Sequence, residues 1–66
     1  MKNSERILVY IKRFTTEKGY PPSVRQIGEG VGLRSTATVH GHLERLKHAG
    51  RITWVPGQVR TLRVIG

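Results

Sequence analysis

Residues 23–50, SVRQIGEGVGLRSTATVHGHLERLKHAG, contain the two neighbouring segments that decide the fold. Ser23 stands three residues before Gln26, which is the spacing of a capping box and predicts the start of a helix. Three apolar residues then recur at helical spacing, at Val24, Ile27 and Val31. Several glycines make this helix short and intrinsically weak, so we expect packing to hold it.

A second helix follows after the short turn Leu33-Arg34. Either Ser35 or Thr36 is expected to cap it, and Gly50 is expected to end it. At about 100° per residue, one side of this helix is apolar and consists of Val39, Leu43 and Leu46. The other side is expected to face outward and consists of Ala37, Thr38, Gly41, Glu44, Arg45 and His48.

Another helix is predicted before this pair, from Ser4 as a plausible N-cap to Lys18, with Gly19 placed to stop it. One face carries the apolar residues Ile7, Tyr10, Ile11 and Phe14. After Gly50 the apolar period changes from 3.6 to 2 in residues 51–55 and again in residues 61–64, with the turn signal Pro56-Gly57 between them. The sequence therefore predicts a single domain over residues 1–66, mainly α with a small β-hairpin, in a winged helix-turn-helix arrangement.

The composition restricts the classes of function. The 66 residues include 12 basic and 4 acidic side chains, a net charge of +8, and no cysteine. A chain of this size buries only about 60% of its unfolded surface and hardly accommodates a catalytic cleft as well as a core. Without a long apolar segment or a signal peptide, we expect a cytoplasmic protein with no membrane role, whose natural partners are polyanions.

Neither catalysis nor metal binding is predicted. The four carboxylates are spread singly along the chain, so no nearby pair suggests general acid and base catalysis. His40 and His42 lie two residues apart, and on a helix their rings diverge by about 200°, which prevents joint chelation. We therefore expect no enzyme, no metal and no cofactor, with His42 at the border of the core.

The outward face of the third helix favours DNA binding over an ordinary three-helix core. Ala37, Thr38 and Gly41 are small, as a helix lying deep in the major groove requires where it meets base edges. His40 flanks this face and can donate a hydrogen bond to a base or a phosphate. Three arginines stand where such a fold meets phosphates, at Arg25, Arg34 and Arg60. A generally solvated basic surface remains the alternative explanation of these arginines.

Three stretches of the sequence resemble the DNA-binding domain of the LexA family, the repressors of the SOS response. They are residues 18–29, KGYPPSVRQIGE; residues 31–35, VGLRS; and residues 38–46, TVHGHLERL. The chain looks like the Gram-positive branch of this bacterial family. The resemblance implies a winged helix-turn-helix that regulates transcription by binding palindromic, inverted-repeat operators as a dimer.

The resemblance also implies roles for individual residues. Base contacts fall on the start of the third helix, at Ser35, Thr36, Ala37, Thr38, His40 and Gly41. Backbone contacts fall on the start of the second helix and on the wing, at Ser23, Arg25, Gln58 and Arg60. Arg34, which precedes the third helix, is added to the phosphate contacts on the physical grounds above.

Two departures from the family matter for function. Trp54 and Val55 stand where this branch often has charged residues, so we expect an apolar spot on the wing. The sequence ends at Gly66, where a LexA protein continues into a Ser-Lys peptidase domain that provides self-cleavage and most of the dimerisation. We therefore expect neither function here, and a stand-alone regulator of phage or plasmid origin or a domain of a longer repressor both stay open.

Two other functions remain alternatives to DNA binding. One is a protein-interaction module, such as a decoy or antirepressor that engages a repressor or polymerase, and the other is recognition of RNA by its shape. The apolar residues also predict the oligomeric state. Because only Leu8, Val9 and the Trp54-Val55 edge are not assigned to the core, we expect a monomer in solution that pairs only on DNA.

Overall fold

Three helices precede a two-stranded antiparallel sheet in the computed structural model, which describes residues 2–65 and, for Val59 and Arg60, only the backbone. The elements are α1 (Asn3–Lys18), α2 (Val24–Val31), α3 (Thr36–His48), β1 (Ile52–Val55) and β2 (Gln58–Val64). The predicted order of three helices and a hairpin is confirmed, and so is the winged helix-turn-helix fold.

The first helix begins earlier than the sequence predicted. Lys2 occupies the N-cap position without a side-chain cap, so the prediction that Ser4 caps the helix is wrong. The reason is that the Arg6 N–H donates to the Lys2 carbonyl at 3.0 Å, which places Ser4 inside the first turn. At the other end, Gly19 has a φ of 81°, which confirms the predicted stop.

Side chains cap the second and third helices. The Gln26 N–H donates to Ser23 Oγ at 3.1 Å, and the Ser23 N–H donates to Gln26 Oε1 at 2.9 Å, so the predicted capping box is confirmed. For α3 the cap is Ser35, whose Oγ accepts from the Thr38 N–H at 3.3 Å. This helix ends at His48, two residues before the predicted end at Gly50.

The turn between α2 and α3 is tight because Gly28 allows a close approach. A Cβ atom at Gly28 would lie 2.9 Å from the Leu33 carbonyl oxygen and 3.2 Å from Val39 Cγ2. The Leu33 N–H donates to the Gly28 carbonyl at 2.8 Å, and Gly32 has a φ of 77°. The backbone itself therefore sets the position of α3 on α2.

The core lies between the three helices and the inner face of the sheet. It consists of Ile7, Leu8, Ile11, Ile27, Val31, Val39, Leu43, Leu46, Ile52 and Leu62. Leu8 was expected to be spare, and that prediction is wrong, because α1 packs against α2, α3 and β2 and thus buries more than one narrow stripe. Phe14 and Val64, predicted in the core, are only partly buried.

No helix within residues 2–65 is both long enough and apolar enough to cross a membrane.

Candidate nucleic-acid interface

The N-terminal half of α3 presents a surface of small residues, which we call the open face: Ala37, Thr38 and Gly41. Ala37 and Thr38 are exposed and Gly41 is partly exposed. A Cβ atom at Gly41 would meet no atom within 4 Å, so the packing of the domain does not require glycine there. Since glycine inside a helix costs up to about 1 kcal/mol relative to alanine, its presence needs another cause.

Polar residues surround the start of this helix. Arg34, Ser35 and Thr36 are all exposed. Thr36 lines two open grooves on α2, one of about 520 Å³ beside Ser23 and one of about 710 Å³ beside Arg34. The structure thus brings Ser23 and Arg34, both predicted phosphate contacts, to either side of the start of α3.

Arg25 lines both grooves and is bound only weakly within the domain. Its Nε lies 3.7 Å from Glu29 Oε1, and the two side chains are 85% and 72% exposed. An ion pair this exposed contributes little to the free energy of unfolding. A guanidinium carries five N–H donors, so Arg25 retains donors for an anion in the groove.

The hairpin wing, residues 52–64, stands beside α3. Pro56 and Gly57 form its turn, with Gly57 at a φ of 78°, and Val55 pairs with Gln58. Gln58 is exposed, as a backbone contact on the wing would have to be. The side chain of Arg60, the other predicted wing contact, lies outside the described residues.

The two strands of the wing pair irregularly. Ile52 pairs with Val64 and Thr53 with Arg63, whereas Val55 pairs with Gln58, so the register shifts between Thr53 and Val55. A hydroxyl bridges the two strands next to this shift. Thr61 Oγ1 accepts from the Val55 N–H and donates to the Gln58 carbonyl, each at 2.6 Å.

His40 lies where α3 adjoins the wing. Its Nδ1 is 3.8 Å from Glu44 Oε1, and its ring meets the Trp54 ring edge-on with centroids 6.4 Å apart. His40 is exposed, so it remains accessible beside the open face. His42 is partly buried, in agreement with its predicted place at the border of the core.

Trp54 does not form the expected apolar spot on the wing. Its ring is only partly exposed, packs against the core and lies under Lys47 Nζ, which is 4.3 Å from the ring centroid. Val55 is 48% exposed, so only this part of the expected apolar spot is present. The sequence analysis missed Lys47 as a neighbour of Trp54, although the alternation after Ile52 already pointed the tryptophan inward.

A tightly turned helix pair, an exposed second helix with small outward residues, and a hairpin beside it define the winged helix-turn-helix class. The chain belongs to the LexA DNA binding domain family, whose model matches residues 2–61.

Curated relatives agree with this assignment. The chain is 55% identical over 64 residues to the LexA repressor of Shouchella clausii (strain KSM-K16), a match that covers 97% of this chain and 31% of that protein. It is 51% identical over 65 residues to the LexA repressors of Bacillus mycoides (strain KBAB4) and Bacillus thuringiensis (strain Al Hakam), covering 98% of this chain and 32% of each relative. The chain therefore spans about a third of the length of these relatives.

Proposed function

We propose that this chain binds double-stranded DNA sequence-specifically and thereby represses transcription. Its relatives are named LexA repressors. The observation that carries the proposal is the open face of α3. The space around Gly41 is empty within the domain, and a major groove about 12 Å wide would fill it with base edges.

The proposed contacts divide into two groups. Residues at the start of α3 read base edges: Ser35, Thr36, Ala37, Thr38, His40 and Gly41. Residues around the start of α2 and on the wing hold the sugar-phosphate backbone: Ser23, Arg25, Arg34, Gln58 and Arg60. Both helix starts favour anions as well, because their free N–H groups and the helix dipole point there.

We further propose that two monomers bind an inverted-repeat operator, each on one half-site about one helical turn from the other. Among the side chains that the structure describes, the apolar ones with large exposure are Val9, Tyr20, Val55 and Ile65. The burial of Leu8 leaves even less apolar surface for a dimer than the sequence suggested. Stable interfaces bury more than about 1,000 Å² in total, so we expect a monomer at micromolar concentration without DNA.

Sedimentation velocity without DNA tests the monomer directly, and a tight dimer would contradict it. Joining two copies by a linker that spans both half-sites should raise operator affinity by about 10²-fold through effective concentration alone. A linker too short to span them serves as the control. In the cell, we propose a non-catalytic cytoplasmic role for the domain.

The readout is tested with two substitutions at one position. A selection from random duplexes first returns the preferred site and its symmetry. Gly41→Leu should then reduce affinity for that site to the level of random DNA, because the isobutyl group would hold the helix off the bases. Gly41→Ala is the matched control, since it gives a similar gain in helix propensity of up to about 1 kcal/mol and only one methyl group.

Thermal unfolding of both variants separates binding from folding, because both should be at least as stable as the parent. If Gly41→Leu kept the sequence preference, a different surface would have to read the DNA. If the parent itself showed no preference for any duplex, a protein-interaction module would explain the chain better.

The phosphate contacts are tested through their salt dependence. If four to six phosphates are neutralised, log affinity should fall against log salt with a slope of about −4 to −5 per monomer. Arg25→Ala should weaken binding to all sequences alike and make the slope shallower by about one. The exposed arginine Arg13 on α1 provides the control, and Arg13→Ala should leave the slope unchanged.

A further inference from the structure

Trp54 connects the wing to α3 through two side chains of that helix. Lys47 Nζ lies 4.3 Å from the centroid of its ring, which is within the range of a cation–π contact. His40 meets the same ring edge-on, at 6.4 Å and with an interplanar angle of 84°. His40 and Lys47 are seven residues apart, so a single wing residue spans about two turns of α3.

The strand register shifts where Trp54 lies. Thr53 pairs with Arg63 but Val55 pairs with Gln58, so the shift falls between Thr53 and Val55. The ring also packs against the core. A small cavity of about 50 Å³ lies beside it, lined by Val24, His40, Leu43, Trp54 and Leu62.

Through Lys47 and His40 the indole therefore contacts α3 directly. We propose that Trp54 is a positioning residue for DNA recognition: held by Lys47 and His40, it sets the wing at the angle at which α3 and the wing reach one duplex together. The inference rests on the proposed DNA binding. It assigns a role to Trp54, which stands where this branch of the family often has a charged residue.

The contact with His40 has a second consequence. Because His40 belongs to the proposed base-reading group, the tryptophan edge also limits the directions in which the imidazole can point. Trp54 thereby affects a base contact as well as the wing, without touching DNA itself. Its loss should reduce affinity for the operator more than affinity for random DNA.

The experiment compares variants of the whole chain on the selected operator and on a random duplex. Trp54→Leu retains an apolar side chain and removes the aromatic face, and Trp54→Phe retains a smaller face. Trp54→Leu should lower operator affinity by about fivefold to tenfold, the range that a cation–π contact and an aromatic pair provide. Random-duplex affinity should change less than twofold, and Trp54→Phe should restore most of the loss.

Lys47 needs a separate test, because a lysine beside DNA can also bind phosphate directly. Lys47→Met retains the aliphatic stem and removes the cation. If Lys47 acts through Trp54, Lys47→Met should weaken operator binding in the parent but hardly at all in the Trp54→Leu background. Lys12→Met, in the groove between α1 and β2, is the matched control and should have no effect.

Three outcomes would overturn the inference. The first is a folded Trp54→Leu variant that binds the operator as tightly as the parent, and the second is a Trp54→Leu variant that loses affinity for operator and random DNA equally. Equal losses from Lys47→Met in both backgrounds, with a salt slope shallower by about one, would make Lys47 a phosphate contact. If Trp54→Leu does not fold, Lys47→Met and Lys47→Arg provide the test of the inference. Lys47→Met should lower operator affinity, and Lys47→Arg should restore it at an unchanged salt slope.

Failure of the proposed function itself looks different. In that case the parent chain would show no preference for the selected duplex over random DNA before any substitution is made.

Discussion

The helix pair and the wing are held in place by different kinds of contact. Between α2 and α3 the backbone itself is in contact, at Gly28 and the Leu33 carbonyl, and the caps at Ser23 and Ser35 bind main-chain N–H groups. In the wing, the strand register shifts between Thr53 and Val55, and the side chains of Trp54 and Thr61 make contacts with α3 and with the opposite strand there. Main-chain contact therefore sets the angle between the helices, whereas the wing is held in part by a few replaceable side chains.

Gly28→Val should disturb the main-chain contact between α2 and α3, and of the substitutions that test this contrast it should lower the free energy of unfolding most. The new Cβ would lie 2.9 Å from the Leu33 carbonyl oxygen, so the backbone of the turn must move. Overpacking of this kind typically costs about 1–3 kcal/mol, a large share of the free energy of unfolding of so small a domain. Urea denaturation measures the cost.

Gly41→Val is the control for this substitution, because it introduces the same side chain into open space on α3. It should leave the free energy of unfolding unchanged or slightly higher. An equal loss at both positions would mean that valine is unfavourable in these helices for a reason other than the close approach at Gly28.

Ser23→Ala should have an intermediate effect. It removes the hydroxyl that accepts from the Gln26 N–H, and loss of an N-cap typically lowers the free energy of unfolding by about 1 kcal/mol. Ser4→Ala should change it by less than about 0.5 kcal/mol, because Ser4 lies inside α1 and caps nothing. A larger effect at Ser4 than at Ser23 would reverse the assignment of the caps.

Thr61→Val should have the smallest effect on global stability and should sharpen the contrast with the helix pair. The Val55 N–H loses its acceptor, but Val55 is exposed enough for water to replace it, so we expect a loss of about 0.5 kcal/mol. Amide exchange at Val55 should accelerate, while exchange in α2 and α3 should not.

Thr61→Ser retains the hydroxyl and should restore slow exchange at Val55. If exchange in α3 accelerated together with that in the wing, the two regions would unfold as one unit, and the contrast between them would not extend to their dynamics.

The sequence predicted the helix pair more completely than the wing, for a physical reason. Capping boxes, apolar stripes and glycine stops are local patterns, so Ser23, Gln26 and Gly19 could be assigned from their near neighbours alone. The position of Lys47 over Trp54 and the hydroxyl bridge of Thr61 depend on how separate elements meet. No spacing within one element encodes such contacts.

The errors on α1 have the same origin. Leu8 was left outside the core because a single helical stripe was assumed, whereas three elements pack around this helix. Ser4 is a favourable capping residue, yet the chain continues its helix to Asn3, where Lys2 provides no side-chain cap. Capping preference identifies candidates for a helix start, and the surrounding packing decides among them.

At most positions of a binding domain a side chain must suit both the fold and the target, but the empty space around Gly41 separates these two requirements. A Cβ atom at this position would meet no other atom of the domain within 4 Å, so selection for folding and selection for target sequence can act on it independently. Position 41 can therefore be varied among residues other than proline without first stabilising the scaffold. A library of small residues other than proline at this position, screened against altered operators, should yield new sequence preferences on an unchanged fold.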